Sequence, residues 1–160
     1  MLWKQAQQYI PQYTLYNNVY ETLQELANRG IAQWIVSGNV ESTIRKIIAH
    51  SHMPISTNHI SGYKYGMTRD HYKRKVAIIG NALKRLPTDA EVIYIGDEAT
   101  DVEACKHLSV QCLFATWGSR EREAAQHLDV GTLNDPSEVL APIACWRVTL
   151  INGKDLAMSD

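Results

Sequence analysis

The sequence predicts an α/β fold with one doubly wound parallel sheet, and three features of the chain favour it. Short apolar runs alternate with segments whose apolar residues recur at helical spacing. The apolar runs are almost uninterrupted, as in strands that are covered on both faces. The chain has 160 residues, which is enough for one domain with a full core and too short for two ordinary ones. We therefore expect helices on both sides of a single sheet, in three α/β/α layers.

Local patterns place the elements of this sheet along the chain. A helix over residues 17–29 has Val19, Leu23 and Leu26 on one face and ends at Gly30. Strands are predicted at residues 31–36, 58–61, 91–95 and 110–116. Further helices are predicted after Asn39, which would be an N-cap, and over residues 73–86, 100–107 and 119–127. A last short helix is predicted to begin at Pro136. The tail over residues 145–151 is β-prone as well.

Composition excludes several classes of protein. A formal net charge of −1 argues against a nucleic-acid binder, which normally has a basic face. Cys105, Cys112 and Cys145 are an odd number without CxxC spacing, which is typical of a reduced cytosolic chain. No apolar run approaches the roughly 18 residues of a membrane span, and the first residues lack a signal-peptide pattern. We therefore expect a cytoplasmic protein without nucleic-acid or membrane partners.

Residues 92–101 form the most informative segment of the chain. An apolar run ends at Gly96, Asp97 follows in the turn, and Asp101 comes about one helical turn later. A carboxylate at the C-terminal end of such a strand lies where open α/β sheets bind ligands. Two carboxylates at this spacing can approach one hard cation. The alternative, left open by this segment alone, is that Asp97 only caps a helix that begins near Thr100.

Two other polar segments point to an anion. Ser37-Gly38-Asn39 follows an apolar strand and precedes a predicted helix, whose N-terminus attracts negative charge. Lys73-Arg74-Lys75 opens a later helix, at the end where the helix dipole disfavours cations. Basic residues in that place favour an anion bound nearby. An ordinary turn and a solvated basic turn are the alternative interpretations of these two segments.

The order of these segments resembles motifs two, three and four of the haloacid dehalogenase-like (HAD) superfamily, in particular its phosphoglycolate phosphatase-like members. Ser37 matches the second motif, and Gly96-Asp97 together with Asp101 matches the fourth. Lys75 matches the lysine of the third motif, for which Lys73 is the alternative. Residues 16–23, 116–119 and 134–140 resemble flanking segments of the same group. The resemblance covers about residues 10–143 and implies a HAD-like Rossmannoid core.

The resemblance also implies a chemistry. In this family an aspartate attacks a phosphoryl group, and water hydrolyses the resulting aspartyl-phosphate. Ser37, Gly38, Asn39 and Lys75 would bind the phosphoryl oxygens, and Ser37 and Lys75 would also serve catalysis. Mg²⁺ would be held by Asp97, with Asp101 in its outer shell. The partner would be a small phosphorylated metabolite.

The first motif of the family, which carries the nucleophile and the general acid, has no counterpart in the sequence. It is a DxDGT-like loop after the first strand, and no DxD occurs in the chain. The strand and glycine turn at 148–153 have a similar form but offer Leu150 and Asn152 in place of the two aspartates. We therefore expect an inactive core fragment, with a remnant of the cap-to-core connection in residues 1–15, a HAD-like core in 16–143 and a β-prone tail in 144–160.

The missing first strand is the central one in the resembled sheet order 5-4-1-2-3. Its loss would leave unpaired N–H and C=O groups on two inner strand edges. Either those strands pair directly, or the tail around residues 146–151 enters the gap, from its own chain or from a second copy. We favour a homodimer that exchanges the tail. Mg²⁺ would be weakly held or absent, because its third anionic ligand is missing.

Two functions fit these observations. The chain is the core of a phosphatase whose first motif lies upstream, in a fragment or an interrupted gene, or it is a catalytically silent HAD-like module for binding or assembly. A dinucleotide-binding domain is disfavoured, because no GxGxxG follows a predicted strand.

Overall fold

The structure is a computed structural model that describes residues 13–142, 148–152 and 157–159. Its strands are β1 (Tyr13–Leu15), β2 (Ala32–Val40), β3 (Ile60–Tyr63), β4 (Val92–Gly96), β5 (Gln111–Ala115), β6 (Gly131–Leu133), β7 (Val148–Asn152) and β8 (Ala157–Ser159). Its helices are α1 (Val19–Asn28), α2 (Glu41–His50), α3 (His71–Leu83) and α4 (Ala99–Leu108), with short 3₁₀ helices at Ala124–His127 and Pro136–Leu140.

Six of the described strands form one parallel sheet in the order β3-β2-β7-β4-β5-β6. The remaining two, β1 and β8, form a separate antiparallel ladder in which Tyr13 pairs with Ser159. Strands alternate with helices along most of the chain, so the predicted α/β class with a doubly wound parallel sheet is confirmed. None of the helices in the described part of the chain has the length and apolar character that crossing a bilayer requires.

Strand β7, which comes last along the chain among the six strands of the main sheet, lies in the centre of that sheet. It runs parallel to both β2 and β4, and Ile151 pairs with Ile35 on one side and with Ile95 on the other. The gap that the missing first strand would leave is thus filled by the tail of the same chain, one of the two outcomes expected from the sequence. The first residues of the predicted tail strand, 145–147, lie outside the described residues.

Both faces of the sheet are covered by helices, which explains the uninterrupted apolar runs. Along β4, Ile93 and Ile95 join one buried cluster and Tyr94 joins the other, as alternation in a strand requires. The first cluster includes Val19, Leu23 and Leu26 of α1 and Ile44 and Ile48 of α2. The second includes Ile78, Ile79 and Ala82 of α3 and Val102, Ala104 and Cys105 of α4.

The segment after residue 36 differs from its prediction. Ser37, Gly38 and Asn39 belong to β2 instead of a turn, and the pairing of β2 with β3 shifts register between Val36 and Val40. The prediction that Asn39 caps α2 is wrong, because that helix begins at Glu41 with Val40 as its N-cap and no side-chain cap bond. The extra length of β2 is a property of its pairing with Tyr63, a partner that local sequence does not reveal.

Other elements were misplaced or missed. The helix predicted from Ser119 to His127 is only the 3₁₀ helix at its end, although the Ser119 hydroxyl does accept the N–H of Glu121 as a cap would. Helix α3 begins two residues before Lys73, since the side chain of Asp70 accepts the backbone N–H of Lys73 and caps it. Strands β1, β6 and β8 were not predicted; each has only three residues, too few for a clear pattern.

Candidate functional site

The C-terminal ends of β2, β7 and β4 meet at one edge of the sheet. Asn152, the last residue of β7, pairs with Val36, and its predecessor Ile151 pairs with Ile95. Ser37 therefore comes directly after Val36 within β2, and Asp97 directly after β4, each one residue beyond the level of Asn152. Neighbouring strands are about 4.8 Å apart, so these three backbone positions lie within roughly 10 Å of one another.

Asp101 is fully buried at this edge, and both of its carboxylate oxygens have hydrogen-bond partners. Its Oδ1 accepts a hydrogen bond from the Tyr94 hydroxyl at 2.9 Å and lies 2.7 Å from the Lys75 ammonium. Its Oδ2 accepts the backbone N–H groups of Asp97 at 3.2 Å and Glu98 at 3.1 Å. Asp101 thus links a strand, two helices and the turn that carries Asp97.

Lys75 projects from the first turns of α3 toward the end of β4. Its Nζ lies 3.3 Å from Glu98 Oε2 in addition to its contact with Asp101, and Glu98 Oε2 is also 3.5 Å from His71 Nε2. Burial would lower the pKa of Lys75, but the charges and hydrogen bonds of Asp101 and Glu98 outweigh it and raise that pKa above its ordinary value. Lys75 is therefore a fixed cation. Lys73, the fallback for the third motif, is exposed, and no contact with these carboxylates is seen for it.

The turn that carries Asp97 depends on Gly96. A Cβ at Gly96 would lie 2.6 Å from Asp101 Cβ, so the Asp101 side chain can pack against this strand end only because the residue is glycine. Asp97 itself is buried, and its backbone carbonyl accepts a 2.7 Å hydrogen bond from the Ser119 hydroxyl. The N-cap of α4 is Glu98, so Asp97 is not there to cap the helix.

Ser37 lies at the same edge, in a different local setting. Its side chain is buried, and its Oγ accepts the backbone N–H of Asn39 at 3.2 Å. That bond leaves the hydroxyl proton of Ser37 available to a ligand. The following Gly38 has open space around it, and both it and Asn39 are exposed. Beyond them, Glu41 accepts the N–H of Gly62 and places a carboxylate at the start of α2.

Sequence reasoning missed Tyr94, Glu98 and His71, and it assigned Ser119 only as a helix cap. The signal for Tyr94 was present, since it is the one polar side chain in the strand Val-Ile-Tyr-Ile. A buried phenol normally needs a hydrogen-bond partner, and Asp101 is one helical turn beyond the strand. The positions of Glu98, His71 and Ser119 depend on long-range packing, for which local sequence carries no signal.

The described residues do not fit a tightly held Mg²⁺. Asp97 offers a carboxylate at the sheet edge, but both oxygens of Asp101 already contact donors of the protein. Within residues 13–142, 148–152 and 157–159, no group of three or more His, Cys, Asp or Glu side chains could hold a metal ion. A divalent cation with so few anionic ligands would keep most of its waters. Asp97 and Asp101 as metal ligands therefore remain a prediction.

Comparisons with known proteins agree with this architecture. The sequence model of a family described as haloacid dehalogenase-like hydrolase matches residues 2–115. No curated protein matches the sequence. The fold is similar to that of a phosphoserine phosphohydrolase-like protein from Francisella tularensis, with 22% identity, a TM-score of 0.65, and coverage of 89% of this chain and 68% of that one.

Two further structures share the fold. The protein tyrosine kinase A of Mycobacterium tuberculosis is 19% identical with a TM-score of 0.64, and the match covers 82% of this chain and 61% of that one. A haloacid dehalogenase-like family hydrolase from Streptococcus pneumoniae is 21% identical with a TM-score of 0.62, covering 80% and 59%. The chain thus spans about six-tenths to two-thirds of the length of these structures. At such identities the likeness shows the fold alone.

Proposed function

The chain belongs to the haloacid dehalogenase-like hydrolase family, and we propose that it is a phosphatase core of the phosphoglycolate phosphatase-like group that does not turn over substrate as these 160 residues stand. Its ligand would be a small phosphorylated metabolite, bound where Ser37, Lys75 and Asp97 emerge at the sheet edge. Members of the family generally use Mg²⁺, and the phosphatase ancestry of this site accounts for its arrangement of carboxylates beside a buried lysine.

One observation supports the proposed lack of activity. The central strand β7 brings Asn152 to the sheet edge, between Ser37 and Asp97 in the neighbouring lanes. Leu150 stands in place of the first aspartate of the missing motif and Asn152 in place of the second, and neither an alkyl side chain nor a neutral amide can form an acyl phosphate or shuttle a proton. Leu150 pairs with Trp34 and Tyr94 inside the ladder, so it does not reach the edge.

The charges around Lys75 support the same proposal. Asp97, Glu98 and Asp101 outnumber this lysine, so the described part of the site has an excess of negative charge. A phosphate dianion would be repelled by that excess unless a divalent cation came with it. We therefore expect phosphate affinity to be weak and to increase when Mg²⁺ is added.

An activity assay tests the proposal. The purified chain, with Mg²⁺ and p-nitrophenyl phosphate, should release no more nitrophenol than buffer does. Asp97→Asn serves as the matched control, because Asp97 is the carboxylate that the fourth motif assigns to the metal. Turnover in the unchanged chain that disappears in Asp97→Asn would overturn the inactivity. Equal turnover in both preparations would identify a co-purified phosphatase.

A homodimer remains our proposal for assembly. Strand β7 occupies the central position of the sheet of its own chain. The same strand could occupy that position in a second copy, since exchange of a terminal element preserves the contacts that the element makes. Light scattering should give the mass of a dimer for the full chain. A version that ends at Pro142 should aggregate or fail to fold, because β2 and β4 would lose their shared neighbour. A soluble, folded monomer in both preparations would contradict the exchange.

A further inference from the structure

We propose that Tyr94 is a positioning residue of this site, whose hydroxyl orients the Asp101 carboxylate and, through it, the Lys75 ammonium at the end of β4. The inference rests on the proposed function only for its ligand, a phosphoryl group. The positioning itself follows from contacts among buried side chains of β4, α3 and α4, and it has its own measurement.

The Tyr94 ring occupies the apolar layer under the sheet, with no exposed surface. A phenylalanine would fill nearly the same space, so the contribution specific to the hydroxyl is its hydrogen bond and not its packing. That hydroxyl donates to Asp101 Oδ1 at 2.9 Å, and the same oxygen lies 2.7 Å from Lys75 Nζ. Two donors on one oxygen fix both the rotation of the carboxylate and the place of the ammonium.

The second oxygen of Asp101 transmits this orientation to the turn. Oδ2 accepts the N–H groups of Asp97 and Glu98, so any rotation of the carboxylate would break those two bonds together. On its other side the Asp101 side chain packs against Gly96, where a Cβ would lie 2.7 Å from Oδ2. The carboxylate is therefore held between the bare backbone of Gly96 and the Tyr94 hydroxyl. Removing the hydroxyl leaves Lys75 in contact with Oδ1 but takes away the hydrogen bond that fixes this oxygen from the side of β4.

A matched pair of variants separates positioning from general stability. Tyr94→Phe removes one buried hydroxyl that bonds Asp101. Ser61→Ala removes another buried hydroxyl, which donates to the Ile78 carbonyl of α3 at 2.7 Å. Among the described residues, no contact is seen between this hydroxyl and Lys75, Asp101 or Glu98. Both deletions should lower the melting temperature, since each leaves a buried acceptor with one donor fewer. Only Tyr94→Phe should disturb the ammonium of Lys75.

The first readout is the ¹H–¹⁵N signal of the Lys75 ammonium, identified by its loss in Lys75→Met. The signal should shift and exchange faster with water in Tyr94→Phe and stay unchanged in Ser61→Ala. The second readout is the affinity for inorganic phosphate with Mg²⁺, which should fall about tenfold in Tyr94→Phe alone, the effect of losing one hydrogen bond to a charged group.

The outcomes are distinguishable. An unchanged Lys75 signal in Tyr94→Phe would overturn the positioning role, whether or not phosphate binds. If the unchanged chain binds no phosphate, the ligand in the proposed function is wrong, and the ammonium signal still tests Tyr94. Should Tyr94→Phe fail to fold, 3-fluorotyrosine in the full chain replaces it. The ¹⁹F resonance of residue 94 should then move in Lys75→Met, and an unmoved resonance would refute the shared oxygen.

Discussion

The two faces of the sheet hold buried polar groups in opposite ways. On the face covered by α3 and α4, the hydroxyl of Tyr94 and the charges of Lys75 and Asp101 are joined in one network at the strand ends. On the face covered by α1 and α2, Thr22 Oγ1 is buried without a hydrogen-bond partner in the described part of the chain. It lines a small apolar cavity together with Val19, Ile95, Trp117 and Ile151.

This difference separates two sources of order in the same core. Directional bonds fix atoms beside the candidate site, where position matters to a ligand. On the other face the Thr22 hydroxyl lies among apolar side chains without a bond of its own, and there it only adds a desolvation cost. Removing a bonded group of the Tyr94–Asp101–Lys75 network should therefore destabilise the fold, whereas removing the unbonded Thr22 hydroxyl should stabilise it.

The largest effect is expected for Asp101→Asn. The substitution leaves the buried Lys75 with Glu98 as its anionic partner and replaces an acceptor of backbone N–H groups by an amide that can point a donor at them. We expect the free energy of unfolding to fall by about 3 kcal/mol, as when one member of a buried ion pair is removed. Urea unfolding measures it, with Glu103→Gln as the control, since Glu103 is an exposed carboxylate on the same helix.

The pH dependence sharpens this prediction. The pKa of Lys75 is raised on folding, although burial by itself would lower it, because Asp101 and Glu98 hold the charged form. Its contribution to stability is therefore complete below the ordinary lysine pKa of about 10.4 and is lost as the pH rises through the higher folded value. The decrease in the free energy of unfolding at alkaline pH should be smaller in Asp101→Asn. An identical alkaline profile in both chains would show that the pair does not link Lys75 to folding.

A smaller effect of opposite sign is expected for Thr22→Val. The methyl group would occupy the space of the unbonded hydroxyl and remove its desolvation cost, raising the free energy of unfolding by about 1 kcal/mol. Ser61→Ala on the other face is the matched comparison and should lower it by a similar amount. If both variants are destabilised alike, the contrast between the two faces is wrong.

Much of the fold could be read from local sequence, because its signals are local. The apolar run 92–95 and the glycine after it predict a buried strand and turn, and the structure has β4 at Val92–Gly96. The segment Lys73-Arg74-Lys75 predicts the start of a helix, and α3 begins two residues before it, with Lys75 in contact with Asp101 and Glu98. In contrast, the end of β2 and the start of α2 depend on pairing with β3, so the predicted turn and the Asn39 cap were misplaced.

The sequence by itself determined the α/β class, the order of the motif residues and the β-prone character of the tail, since helical period, strand alternation and glycine turns act over a few residues. Only the tertiary structure decided that the last strand of the main sheet enters its centre, between β2 and β4. Strand β7 pairs with residues of β2 and β4 that are more than fifty positions away in sequence. The stabilising contacts are therefore long-range, and local sequence does not reveal them. The same holds for the oxygen of Asp101 that Tyr94 and Lys75 share, because three elements must pack before those atoms meet.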